Sequence, residues 1–156
     1  MVGDVGKRRA PTGHMFTNTR HHSLIAWQRA DDLLIKLHLL TLKHFPAFEK
    51  FELGSQLRKA ACSVAANIVE GFARRSGKSR LNFLNIAEGS PAEVGYCIHV
   101  AHRLGDINDD LAGELEKEVN GVGAPLAGLV RSTRADVAIV IACVVSAVAL
   151  VSWLAA

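Results

Sequence analysis

Residues 55–80 read SQLRKAACSVAANIVEGFARRSGKSR, and the pattern in this stretch decides the fold. Its apolar side chains fall at Leu57, Ala61, Val64, Ile68 and Phe72. These steps of three and four line one face of an α-helix. Small residues fill much of that face, which suits close packing against a second helix. Beyond Gly71 the periodicity gives way to a corner in which Arg74, Arg75, Lys78 and Arg80 crowd together. With Arg58 and Lys59 they make six basic side chains against one acid, Glu70.

The same helical periodicity extends to both sides. The spacing predicts helix one from Ser23, read as its N-cap, to about Phe45, where Pro46 stops it; its seam is Trp27, Ala30, Leu34 and Leu37, widened by Leu33 and Leu40. Helix two runs from Ser55 to about Phe72 or Arg74. Helix three runs from about Lys78 to Leu104, with Gly105 as its C′ residue and a kink at Pro91. Its seam is Phe83, Ala87, Val94, Cys97, Ala101 and Leu104. Helix four starts at Asn108 or Asp109 and is weakened by Gly113, Gly121, Gly123 and Gly128, with a kink expected between Gly121 and Pro125. Short connections between antiparallel neighbours predict an all-α, up-down-up-down four-helix bundle over residues 23–134. Residues 1–22, with Lys7-Arg8-Arg9 and a second methionine at Met15, read as a flexible basic arm.

The far end has a different character. Val137 to Ala156 contains no charged side chain, and twenty residues at about 1.5 Å each span the hydrocarbon core of a bilayer. Residues 135–156 therefore read as a transmembrane helix that anchors the chain at its C-terminus, with burial in an oligomer as the alternative. Trp153 suits the interface, and Arg131 and Arg134 before the apolar run keep residues 1–134 cytoplasmic, on the inner membrane. Ala138, Ala142 and Ser146 form a row of small residues.

A formal net charge of +3 over 156 residues excludes little by itself; its distribution is more informative. In the predicted topology one pole collects Arg20, Arg74, Arg75, Lys78, Arg80, Arg131 and Arg134, and the other receives Glu49, Glu52, Asp106, Asp109 and Asp110. The candidate phosphate-binding residues are Arg58, Lys59, Arg74, Arg75, Lys78 and Arg80, since lysine and arginine neutralise phosphates and release counterions. Two sources of phosphate fit, RNA or DNA on one hand and anionic lipid on the other, and a merely solvated corner is the bland alternative. Cys62, Cys97 and Cys143 lie far apart without a CxxC pair, which argues against a disulfide framework or zinc site. His99 and His102 lack a third ligand. No Walker loop, GxSxG or HExxH pattern occurs, so neither catalytic residue nor cofactor is expected. Asn67 and Glu70 read as buried hydrogen-bonding groups, and Gly71 and Gly89 as points of close backbone approach.

Several landmarks together resemble one known family: Ala26-Trp27-Gln28-Arg29-Ala30, Phe45-Pro46, Gln56-Leu57-Arg58-Lys59-Ala60, Ser63, Asn67-Ile68-Val69-Glu70-Gly71-Phe72, Phe83-Leu84-Asn85-Ile86-Ala87, Gly89-Ser90, Glu93 and Leu104-Gly105. In order and spacing they look like the bacterial four-helix bundle proteins encoded in intervening sequences of 23S ribosomal RNA genes. That family includes the accessory variability protein that partners reverse transcriptase in diversity-generating retroelements. The resemblance covers roughly residues 23–134. It implies a homopentameric ring with a basic surface, nucleic-acid binding, and a reverse transcriptase as a partner; most members of the family have no established activity. Trp27, Asn67, Glu70, Gly71 and Gly89 would be its packing signature. Pro91, the glycine-rich fourth helix and the apolar tail depart from the family pattern.

Overall fold

The computed structural model describes residues 20–155; the Lys7-Arg8-Arg9 triplet and Met15 lie outside them. The described chain is all-α, without strands: a short 3-10 turn, Arg20–Ser23, then α1 (Ile25–His44), α2 (Leu53–Ala73), α3 (Gly77–Leu104) and α4 (Asp109–Leu154). Each helix packs on its neighbours in sequence and α1 also meets α4, whereas α1 and α3, like α2 and α4, make no contact.

One apolar core holds these pairs together. It includes Leu33 and Leu37 of α1, Leu57, Val64 and Ile68 of α2, and Leu115, Val122 and Leu126 of α4. The face expected for α2 is the buried one. Of the seam expected for α3, Ala87, Val94, Cys97 and Ala101 are buried, whereas Phe83 is half-buried and Leu104 is 60% exposed; Leu84, Pro91 and Ile98 complete a buried stripe through 84, 87, 91, 94, 98 and 101. Steps alternating between three and four keep this stripe straight along two neighbours. In α1, Trp27 and Leu34 lie at the edge of the core, and Ala26, Leu33 and Leu40 take the central positions.

Polar contacts tie the pairs. Between α2 and α3, Ser63 and Ser90 join hydroxyl to hydroxyl at 2.8 Å; within α2, Asn67 Nδ2 donates to the Ser63 carbonyl at 2.8 Å. Between α1 and α4, Lys36 Nζ donates to Glu114 at 2.6 Å and also to Glu118. Hydrogen bonds to both carboxylates raise the Lys36 pKa, and the same partner lowers that of Glu114.

The helix ends correct several expectations. Ser23 does not cap α1: Leu24 holds the N-cap position, and the Ser23 hydroxyl donates to the Arg20 carbonyl at 3.2 Å. The last residues of the expected arm are ordered, because His21 is 7% exposed and its ring packs 4.8 Å from Trp27. His22 stacks on the same indole at 4.8 Å. Burial, with the His22 charge beside it, lowers the His21 pKa. Helix α3 begins a residue early, at Gly77, because Ser76 Oγ accepts from the Ser79 N–H at 3.5 Å as its N-cap. Gly105 ends it in the left-handed conformation, φ 83°, as its position as a C′ residue requires.

The largest correction concerns the tail. It is no separate helix: α4 runs for 46 residues through the expected boundary at residues 134–135, about 70 Å at the usual rise. The segment RSTRAD holds no breaker, and the Ser132 and Thr133 hydroxyls donate back to the Leu129 carbonyl at 3.0 and 2.9 Å. Nor does Pro125 interrupt α4. Its missing N–H leaves the Gly121 carbonyl, four residues back, without a helical donor. Arg29 Nη1 of α1 supplies one at 2.7 Å. Asp109–Leu154 is the one described helix long and apolar enough to cross a membrane, and its most apolar window is wholly unburied.

Candidate functional site

The corner between α2 and α3 is built by glycine and by crossed aromatic contacts. A Cβ on Gly71 would lie 3.3 Å from the Arg80 carbonyl oxygen and 3.4 Å from Phe83 Cβ. The absent side chain therefore lets the end of α2 close on the start of α3. Arg74, the C-cap of α2, lays its guanidinium 4.9 Å from the Phe83 ring centre of α3, and Arg80 of α3 lies 5.1 Å from the Phe72 ring centre of α2. Each cation covers the other helix's aromatic. Arg74 also pairs with Glu70, one turn back.

Arg74 and Arg80 are thus partly committed to holding the corner, while Arg75 and Lys78 point to solvent. Both are exposed, and neither takes part in any of the ion pairs among the described residues. These two, with the uncommitted edges of Arg74 and Arg80, are the cations free to meet an anion.

Arg58 and Lys59 lie elsewhere. Fifteen or sixteen residues of helix separate them from Arg74, about 23 Å. Arg58 is partly buried and works as a strap: Nη1 donates to Thr41 Oγ1 and Nη2 to the Lys50 carbonyl, both at 2.8 Å. It thereby ties the α1–α2 connection to the end of α1. The glycine beside it takes part, since a Cβ on Gly54 would sit 3.0 Å from the Glu49 carbonyl oxygen. Lys59 is exposed on α2.

The expected packing residues divide in the same way. Gly71 sits between α2 and α3 as described, whereas Asn67 is half-buried and bonds back to Ser63 of its own helix. Glu70 is not buried: its side chain is 45% exposed, because its pairing with Arg74 turns it to the surface. Gly89 is exposed, and a Cβ placed on it would have no neighbour within 4 Å. The sequence NIVEG at 67–71 is echoed by NIAEG at 85–89, but the two differ in setting: Ile68 is fully buried and Ile86 is 53% exposed. His102 meets Asp109 at 2.5 Å across the α3–α4 connection, and no group of three metal-ligating side chains occurs among the described residues.

The predicted topology puts the corner and the end of helix four at one pole; the direct contact between them is what the sequence did not show. A Cβ on Gly77 would stand 2.9 Å from Val137 Cγ2. A groove of about 270 Å³ opens there, with Ser76, Lys78 and Arg80 on one wall and Val137, Val140 and Ile141 on the other. Asp136 also lines it. From Ala138 to Ala155 every residue of the chain is exposed. The basic corner and the first uncovered turn of α4 are one continuous surface. The sequence held a signal for this contact in the glycine directly after the Ser76 cap, but nothing in it named Val137 as the partner.

Comparison with known proteins follows the same outline. Residues 22–128 match the model of a family described as "23S rRNA-intervening sequence protein". A crystal structure from Bacteroides thetaiotaomicron VPI-5482, of a protein of unknown function from the S23 ribosomal protein family, is similar with a TM-score of 0.64. It shares 18% identity, and the match covers 69% of this chain and 96% of that one; the likeness is one of fold. No curated protein matches the chain. The family match leaves out the apolar half of α4.

Proposed function

We propose, from the premise that this chain belongs to the 23S rRNA-intervening sequence protein family, that it is a non-catalytic, membrane-tethered scaffold whose basic corner binds anionic lipid. The helix pairings support an up-down-up-down four-helix bundle: Lys36 meets Glu114, Ser63 meets Ser90, Gly71 meets Arg80, and Gly77 meets Val137. With Arg29–Gly121 and His102–Asp109 added, contacts that step in opposite directions along α1 and α4, α2 and α3, and α3 and α4 support antiparallel neighbours. The apolar end of α4 is the membrane span, and the cations at its base keep the bundle on the cytoplasmic side of the inner membrane.

The single observation that carries this reading is the contact of Gly77 with Val137. It sets Arg74, Arg75, Lys78 and Arg80 beside the turn where α4 becomes uncovered and uncharged. When that part of α4 enters a bilayer, the corner lies at the level of the lipid phosphates, where each cation contributes about 1 kcal/mol. Exposed apolar side chains on the outside of α1, Ile35, Leu39 and Leu42, with Phe48 and Phe51 just beyond it, favour a homo-oligomer, and five copies is the number the family resemblance implies.

The test uses the full chain in vesicles. Alkaline carbonate should leave it in the membrane fraction, and transfer from detergent should favour anionic over neutral vesicles. Arg75→Gln with Lys78→Gln should remove much of that preference. Release by carbonate, or equal indifference to lipid charge in the wild type, would overturn the reading.

A second reading is favoured by the family's description and by the unpaired cations Arg75, Lys78 and Lys59: binding of structured RNA or DNA, in the service of a reverse transcriptase. In this reading log Kobs for RNA falls linearly with log salt, and nucleic acid co-purifies with the full chain. A flat salt response would sink it.

A further inference from the structure

We propose that the groove between the start of α3 and α4 seats one anionic glycerophospholipid, with its phosphate at Lys78 and Arg80 and one acyl chain along Val137, Val140 and Ile141. The inference rests on the membrane reading above and gives the corner a defined ligand in place of a diffuse attraction.

The groove has the two chemistries such a lipid needs, in the order in which the lipid presents them. Its α4 side is aliphatic, and Val140 and Ile141 are 62% and 58% exposed. Its α3 side carries Ser76, Lys78 and Arg80, at the positive end of a 28-residue helix. At about 270 Å³ it takes a headgroup and the first part of a chain.

Arg80 points to the same ligand independently. Its Nε is buried and has no hydrogen-bond partner. The rest of the guanidinium is held over Phe72, and Nη2 makes only a long 3.5 Å contact with the Arg74 carbonyl. The Nη edge of Arg80, which lines the groove with so weak a bond of its own, is a charged donor for a phosphate oxygen entering there. Asp136 sets the headgroup. Its carboxylate disfavours a bare phosphate nearby but accepts from a hydroxyl. A glycerol headgroup therefore complements two cations and one acid: phosphodiester toward Lys78 and Arg80, hydroxyls toward Asp136.

The experiment places the full chain in nanodiscs of mixed phosphatidylglycerol and phosphatidylcholine, then counts the lipids retained on release by native mass spectrometry. The wild type should keep one phosphatidylglycerol per chain. Lys78→Gln should lower its retention about fivefold, the equivalent of one cation at an anionic surface. Val140→Trp fills the groove without altering charge and should abolish retention, whereas Val148→Trp, two turns along α4, should leave it unchanged. Equal retention by wild type and Val140→Trp, or equal retention of phosphatidylcholine, would overturn the groove site. If carbonate extracts the wild type from membranes, the membrane reading fails and this proposal with it. A chain that stays inserted but keeps no lipid refutes the groove alone.

Discussion

The pairing of Arg29 with the Gly121 carbonyl makes a prediction that neither residue makes alone. Pro125 denies that carbonyl its helical donor, and Arg29 replaces it at 2.7 Å. A hydrogen bond from a charged donor contributes about 1.5–3 kcal/mol; because Arg29 is exposed, solvent screening brings this to or just below the lower limit, about 1–1.5 kcal/mol. Arg29→Met keeps much of the aliphatic stem and removes the donor, so it should destabilise the chain by that amount. Pro125→Ala restores an N–H to the helix. In that background the Gly121 carbonyl is already satisfied, and Arg29→Met should cost no more than about 0.3 kcal/mol, the usual scatter of independent sites. The coupling between the two changes is then about 1 kcal/mol. Urea unfolding of the full chain in detergent micelles, followed by helical circular dichroism, measures all four corners of the cycle. If Arg29→Met costs the same with Pro125 and with alanine, the contact does not rescue the proline, and the explanation for the unbroken α4 is wrong.

Other expectations are simpler. Arg58→Met should cost about 2–3 kcal/mol through loss of its two bonds to Thr41 and Lys50, yet leave lipid or RNA binding unchanged at equal folded fraction; a binding loss as large as that of Arg75→Gln with Lys78→Gln would return Arg58 to the site. Gly71→Val places branched methyls against the Arg80 carbonyl and Phe83 and should cost about 1–3 kcal/mol, read as a lower urea midpoint. His21 has a lowered folded pKa, so its contribution is complete above the unfolded value of about 6.5 and is lost as pH falls through the folded one. His21→Gln should flatten that acid limb in stability measured against pH. The Lys36 pKa is raised and that of Glu114 lowered. Their contribution should therefore fade as pH falls through the folded Glu114 pKa and as it rises through the folded Lys36 pKa, and Lys36→Met should remove both effects.

Much of the architecture was legible because helices are local. The three-and-four spacing of Leu57, Ala61, Val64 and Ile68 is a property of 12 consecutive residues, and all four are buried as the spacing requires. The seam of α3 was harder, since Leu84 and Phe83 both continue a plausible stripe. Only the positions of two neighbours choose between faces that differ by one residue's rotation. Of the candidate site, the cluster Arg74, Arg75, Lys78 and Arg80 was visible because it is contiguous. That Arg74 and Arg80 cover Phe83 and Phe72 was not, because each contact crosses from one helix to the other.

Sequence alone determined the helices, the basic corner, and a run of charge-free residues long enough to span a bilayer, since these depend on composition and period within a single segment. Tertiary structure decided which cations are free. It committed Arg58 to Thr41 and Arg29 to Gly121, 17 and 92 residues away, because a carbonyl or hydroxyl left without a donor in one segment is satisfied only by what packing brings beside it. Packing also laid Val137 on Gly77. The absence of a side chain at one glycine is what sets the basic corner against the base of the apolar helix.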